Sequence, residues 1–241
     1  MCSAKLKYQE ATTFMRKFRS DACRFDPHPR GRSQLLSSLA VLLIANLLQN
    51  SASKADEPKS SAPHKLAERI HLKDADGQRS FEIKPEPDGA KLVGPDDKEI
   101  ARYNAKDHTL KVKDANDKVL GHIVRQEDHY KIENADRTKV LFKIAGKTGG
   151  DWSLEDGQQT RLYRIKKRDY GYEIESPTGD SLAKVKLKDG KLSLRDAKDA
   201  TIYSTKDHAS QLGCACLALD KISSEPLRFG LLIQLTIDAR P

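Results

Sequence analysis

The sequence predicts a mainly β protein: a closed antiparallel β-barrel of about twelve hairpin-linked strands around a buried apolar C-terminal helix. Three observations predict it. Short apolar-x-apolar runs recur, with second members at residues 72, 92, 112, 132, 154, 174 and 194, a spacing of 20 to 22. Each run is followed by Asp/Asn/Gly-rich turn chemistry and then by a second strand-like run. The most apolar stretch of the polar body comes last, LGCACLAL at 212–219 and PLRFGLLIQL at 226–235.

The first strands of the units are read at Ile70/Leu72, Leu110/Val112, Tyr130/Ile132, Trp152/Leu154, Tyr172/Ile174 and Leu192/Leu194, with Leu92 a weaker member. The turns are KDADG, GPDD, KDAND, ENADR, EDGQ, ESPTGD and RDAKD. The second strands are SFEIK, EIARY, VLGHIV, VLFKIA, RLYRIK, SLAKVKL and TIYST. Period-2 alternation broken by such turns is the hairpin signal, and no helical period runs through it. The units yield twelve to fourteen strands. A propeller needs about 40 residues per blade, twice what seven units offer here. A solenoid leaves ends that need caps. A closed barrel removes the edges altogether, but one of this size is too wide for its own side chains to fill.

The C-terminal stretch supplies the filling. Residues 209–222 are apolar on every face of a helix apart from Asp220-Lys221, and an all-round apolar helix is a buried one. Ser224 followed by Pro226 reads as the start of a second helical piece, which continues through the barrel or covers its mouth. Both pieces are too short and interrupted to span a bilayer. The chain therefore divides into a leader (1–55), a Pro/Ser linker (56–67), the hairpin barrel (68–208) and a C-terminal helical segment plugging it (209–241).

The leader carries most of the net charge of +8. Residues 1–55 hold nine Lys/Arg and three Asp/Glu, which leaves 34 basic and 32 acidic residues for the rest. A nearly neutral body lacks the footprint that phosphate-backbone binding needs, so nucleic acid is not an expected partner. Arg30 and Arg32 precede the apolar run LLSSLAVLLIANLL and then the small residues Ser53 and Ala55. That is the layout of a secretory signal cut after about Ala55; Met15 offers a second start, and an uncleaved signal anchor is the alternative. The expected location is the periplasm or the extracellular space, with no transmembrane span in the mature chain. Cys2 and Cys23 leave with the leader. Cys214 and Cys216, two apart on a helix, point in different directions and read as small buried apolar residues.

The strongest binding feature is a pair of basic stripes. Alternation puts Arg164, Lys166 and Arg168 on one face of their strand, opposite Tyr163 and Ile165. Likewise Lys184, Lys186 and Lys188 point out while Val185 and Leu187 point in. The stripes fit an anionic-lipid or phosphate patch, with Tyr170 as an interfacial aromatic. The competing reading is local neutralisation by Glu173 and Glu175 on the strand between them. The carboxylates of Asp74-Ala75-Asp76-Gly77, Asp114/Asn116/Asp117 and Asp196/Asp199 read as turn formers rather than calcium ligands. The histidines show no ligand spacing and no catalytic motif occurs, so neither enzyme activity, metal nor cofactor is expected. Trp152 and Phe142 read as core. Ile100, Leu120, Leu141, Leu162, Leu182 and Ile202 recur at 20 to 21 on the face opposite their inward neighbours. Regular bulges near the turns or an outer apolar ring for a partner would explain that row.

The KDANDKVLGHIV and RDAKDATIYSTK hairpins with the LGCACLAL segment, over residues 68–236, resemble the tubby C-terminal-like superfamily. That group comprises tubby proteins, phospholipid scramblases and LURP-one-related proteins. The resemblance implies a meandering barrel threaded by an apolar helix. Tubby proteins bind phosphoinositide headgroups and scramblase-like members are membrane-associated, but no phosphoinositide-site residue is carried over here. The expectation is a non-enzymatic exported module that binds anionic lipid or another polyanionic surface. The alternative is a structural or protein-interaction domain of the cell envelope with no small ligand.

Overall fold

The computed structural model describes residues 65–239. The leader, with its signal segment, Cys2 and Cys23, lies outside the described residues. Fourteen strands follow in order: β1 (Ile70–Lys73), β2 (Arg79–Glu86), β3 (Gly89–Val93), β4 (Glu99–Lys106), β5 (Thr109–Asp114), β6 (Val119–Arg125) and β7 (His129–Glu133). The second half holds β8 (Val140–Gly146), β9 (Trp152–Asp156), β10 (Arg161–Arg168), β11 (Gly171–Glu175), β12 (Ser181–Lys188), β13 (Lys191–Asp196) and β14 (Thr201–Thr205). Each pairs antiparallel with its sequence neighbours, and β1 closes on β14. The count exceeds twelve because the weak unit at Leu92 is a full member: β3 pairs along its whole length with β2 and β4.

One loop design recurs seven times. Its first residue accepts from the backbone N–H of the fourth, as in Gly77 to Asp74, Asp117 to Asp114 and Asp199 to Asp196. That fourth residue is always left-handed: Gly77, Asp97, Asp117, Arg137, Gln159, Gly179 and Asp199 have φ between 59° and 101°. In six loops the first side chain also accepts from the backbone beyond it; Asp114 Oδ1, for example, takes N–H groups from Asn116 and Lys118 at 2.9 and 3.0 Å. Asp and Asn excel here because a short acceptor replaces the missing ladder bond. The acidic loops are thus turn formers, as the sequence indicates. Among the described residues no cluster of metal-ligating side chains occurs.

Each of these hairpins skips one residue of its second strand. Leu92 pairs with Ala101 and Val93 with Glu99, passing over Ile100. The same step passes over Leu120, Leu141, Leu162, Leu182 and Ile202. The recurring apolar row is therefore the set of bulge residues. Ile100, Leu120 and Leu162 pack against the core, while Leu182 and Ile202 are 40% and 37% exposed.

Two helices fill the interior: the first is buried as expected, and the second, left open between continuing through the barrel and covering its mouth, folds back beside it. Helix α1 (Gln211–Cys216) starts at Ser210, whose Oγ accepts from Gly213 N at 3.2 Å. Helix α2 (Glu225–Asp238) starts at Ser224 with Pro226 in its first turn. Ser210 N donates to Thr236 Oγ1, and Arg228 Nη1 donates to the Leu217 carbonyl, so the two run antiparallel. α1 packs on β11–β13 and α2 on β3–β6. Together they bury Cys214, Cys216, Leu219, Phe229, Leu231, Leu232 and Ile233 against inward residues from around the barrel. Phe81 packs on Phe229 at 4.8 Å between ring centroids and on Tyr203 at 5.7 Å. Burial holds the Cys214 thiol up at about 12, and the Cys216 thiol is raised by burial as well. Phe142 and Trp152 are partly buried against this core. Leu66, at the end of the segment read as a linker, is buried in it too. Among the described residues no helix is long and apolar enough to cross a membrane.

Candidate functional site

The six predicted basic residues lie on the outer face of β10 and β12, on either side of β11. Arg164 stands opposite Glu175, Lys166 opposite Glu173, and Glu173 opposite Lys184. Glu175 is only 5% exposed and sits beneath a cationic roof. Lys166 Nζ is 3.1 Å away, Arg168 Nη2 3.2 Å and Arg164 Nε 3.9 Å. Arg168 also donates from Nε to Glu173 at 2.9 Å. The nearby Ser181 hydroxyl, helped by Arg168, holds the Glu173 carboxyl below the usual range against its partial burial. The β10 stripe is therefore largely neutralised from below. Leu187, expected to point inward, is 47% exposed and stands next to the last residue of β12.

The β12 stripe is different, because its neighbours on the other side extend it. Lys186 stands opposite Ser193, Ser193 opposite Ser204, and Ser204 opposite Lys73, a row that crosses β12, β13, β14 and β1. Beside it Lys184 stands opposite Arg195, and Lys188 opposite Lys191. Lys206 follows the end of β14 and is exposed, as are Lys188 and Lys191. The two serines are buried and small, so they floor a trough between lysines. Lys186 and Arg195 share one carboxylate, Asp199, at 2.6 and 3.3 Å. Chiefly the Lys186 bond holds Asp199 below its ordinary range. Lys73, Lys184, Lys188, Lys191 and Lys206 have no ion-pair partner among the described residues. Lys186 Nζ also lies 6.0 Å over the Tyr170 ring centroid.

The trough runs into the barrel seam. β1 meets β14 at one register pair, against four to six at every other junction. A cavity of about 660 Å³ opens there, lined by Lys73, Arg79, Lys191, Lys206, Ser204 and Thr205 and also by Asp74, Asp207 and His71. Asp207 accepts from His71 N and faces His71 Nδ1 at 2.8 Å. Asp74 is spent on its turn. Lys73, Lys191, Arg195 and Lys206 escape a strand-by-strand reading because they come from three further strands. The period of 20 linking Lys166, Lys186 and Lys206 is the signal that could have found the last of them.

A smaller cavity of about 410 Å³ lies at the mouth where the helices turn, between Leu182, Ile202, Tyr163, Tyr203, Phe229 and Arg228. Tyr163 there donates to Asp220, and burial pushes its phenol up to about 12.

No family model matches the chain, and no curated protein matches it. An X-ray structure of a protein from Arabidopsis thaliana is similar at 11% identity and a TM-score of 0.37, covering 70% of this chain and 97% of that one. The barrel described here rests on this chain's own register.

Proposed function

We propose that this chain is an exported, non-catalytic member of the tubby C-terminal-like superfamily whose barrel docks on an anionic membrane surface. One observation carries the docking reading. Seven cations (Lys184, Lys186, Lys188, Lys191, Arg195, Lys206 and Lys73) share one outer face over a serine floor, and among the described residues their ion-pair partner is Asp199 alone. Arg164, Lys166 and Arg168 flank it with their charge partly spent on Glu173 and Glu175. Each free lysine near an anionic leaflet contributes about 1 kcal/mol, so five unpaired lysines supply a useful affinity at physiological salt. The closed meander around apolar helices supports the superfamily assignment. The filled interior directs binding to the outside of the barrel.

The test is co-sedimentation of the full chain with neutral and with anionic vesicles at low and high salt. The expected result is a preference for anionic vesicles that vanishes at high salt and in a Lys184→Ala/Lys186→Ala/Lys188→Ala variant. Equal binding to both vesicles, or a preference untouched by the substitutions, would overturn the reading. Mass spectrometry of the exported chain should find an N-terminus near residue 56. The second reading, an envelope domain that binds another protein, is favoured by exposed Leu182 and Ile202, which line the mouth cavity. It predicts self-association or partner capture that salt does not weaken.

A further inference from the structure

We propose that the cavity at the β1–β14 seam is a binding site for a phosphomonoester, the dianionic phosphate of a polar headgroup or of a soluble ester. The inference rests on the docking reading for its lipid arm and on the cavity's own chemistry for the phosphate. Lys73, Lys191 and Lys206 reach this space from β1, β13 and the end of β14, and none has an ion-pair partner among the described residues. Three ammonium groups against two lining carboxylates leave the concavity cationic, and an anion of more than one charge bridges more of the lysines than a monoanion does. A phosphodiester offers one charge and a phosphomonoester close to two.

The wall fits the same ligand. Thr201, Ser204 and Thr205 line the cavity. Ser204 is 5% exposed and its hydroxyl makes no hydrogen bond among the described residues, whereas Thr205 Oγ1 already accepts from Asp207 N at 3.0 Å. A hydroxyl beside ammonium groups donates well to a phosphate oxygen. The two lining carboxylates keep their charge, but each already has an oxygen taken by donors of the protein. Asp74 Oδ1 accepts from Asp76 N and Gln78 N, and Asp207 Oδ2 accepts from His71 N at 2.6 Å. Arg79 on the far wall is committed to Glu82 and Asp97, which leaves the three lysines as the anion's own partners. A volume of about 660 Å³ exceeds what bare phosphate needs and lies in the range of small-molecule sites, so the polar group carrying the phosphate enters as well.

The site is built by closure of the barrel. Lys73 stands far in sequence from Lys191 and Lys206, and it meets them where the first strand leaves the last after a single register pair. A full-length seam would occupy the backbone edges that here border the cavity.

The test titrates the full chain with inorganic phosphate and with glycerol 3-phosphate by calorimetry, at constant ionic strength in chloride. The expected result is saturable one-site binding, with glycerol 3-phosphate tighter. A Lys191→Ala/Lys206→Ala variant, altered only at exposed positions, should lose about tenfold or more, as removal of charge-assisted hydrogen bonds predicts. Lys143→Ala on β8 should bind as the parent does. Vesicles containing phosphatidate and vesicles containing phosphatidylglycerol, matched in total charge, separate the sources. A phosphatidate preference lost in the double variant identifies a lipid headgroup, and soluble binding without that preference identifies a free ester. No saturable phosphate binding, or binding unchanged in the double variant, overturns the site even if the face still prefers anionic vesicles. Phosphate binding by a chain that does not discriminate vesicles overturns the docking reading and leaves the site standing.

Discussion

A tight approach inside the barrel lies between the two helices, and it sets up a sharp test. A Cβ built on Gly213 of α1 would stand 2.9 Å from Leu232 Cδ1, 3.0 Å from Leu232 Cα and 3.1 Å from the Leu232 carbonyl oxygen. Two of those three atoms are backbone, so no rotamer change clears them. A Cβ on Gly230 of α2 would stand 2.7 Å from Ile123 Cδ1 and 3.2 Å from Val112 Cγ2. Both of those are side-chain termini, and Ile123 can yield. Alanine in place of glycine favours a helix by about 1 kcal/mol in each case. Overpacking opposes it by about 1–3 kcal/mol, with the upper end expected where backbone must move. Gly213→Ala should therefore destabilise by about 1–2 kcal/mol net, and Gly230→Ala by about 1 kcal/mol or less. Pairing each with a shortened neighbour separates the two cases. Ile123→Val removes the atom that Gly230→Ala strikes and should rescue it, so the double variant is less destabilised than the two single costs summed. Leu232→Ala leaves the Cα and carbonyl in place and should not rescue Gly213→Ala. The assay is urea unfolding followed by circular dichroism, with the midpoints compared at fixed slope. A Gly213→Ala variant as stable as the parent, or one rescued by Leu232→Ala, would refute the backbone contact and with it the antiparallel packing of α1 on α2.

Three further outcomes are expected. Gln159 holds φ at 65° without the Asp or Asn side chain that suits that region, so Gln159→Gly should raise the urea midpoint by an amount worth about 0.5–1 kcal/mol; a lower midpoint would show that the turn is not left-handed there. The Tyr163 phenol is raised from 10.0 to about 12, chiefly by burial, so its neutral form is favoured in the folded state. That contribution is complete below pH 10.0 and is lost as pH rises towards about 12, so the parent should lose stability relative to Tyr163→Phe across that window; a pH-independent gap would mean an exposed phenol. Cys214 and Cys216 are buried and held as thiols, so a thiol reagent should modify both only at the rate of unfolding; fast modification in native buffer would place them outside the core.

The parts of the fold that were legible in the sequence are the local ones. Each hairpin is written in about 20 residues, with its turn former, left-handed residue and alternating strands adjacent in the chain. The row from Ile100 to Ile202 looked contradictory only because alternation was counted through the skipped residue. With the bulge in place, Ala101, Gly121 and Ala183 face inward as they should. The division of the plug was harder, since Asp220 to Glu225 marks a break but not a reversal of direction. The basic face was read half correctly for a similar reason. Glu173 and Glu175 were visible beside Arg164 and Lys166, but the burial of Glu175 beneath three cations depends on side-chain depth. Lys73 and Lys186 are 113 residues apart and share a row only after the barrel has closed.

The antiparallel helix pair also governs the order of assembly. Every β-hairpin can form as soon as its own residues are free, but the material that fills the lumen is encoded after all fourteen strands. Until Leu212 to Ile237 arrive, the sheet has an apolar concave side and nothing to close upon. A chain emerging from its N-terminus would thus remain an open, pliable ribbon until its last segment is free. It would become a rigid cylinder in one late, cooperative step. A chain ended before Gln211 should yield hairpins that aggregate through that uncovered side rather than a smaller barrel.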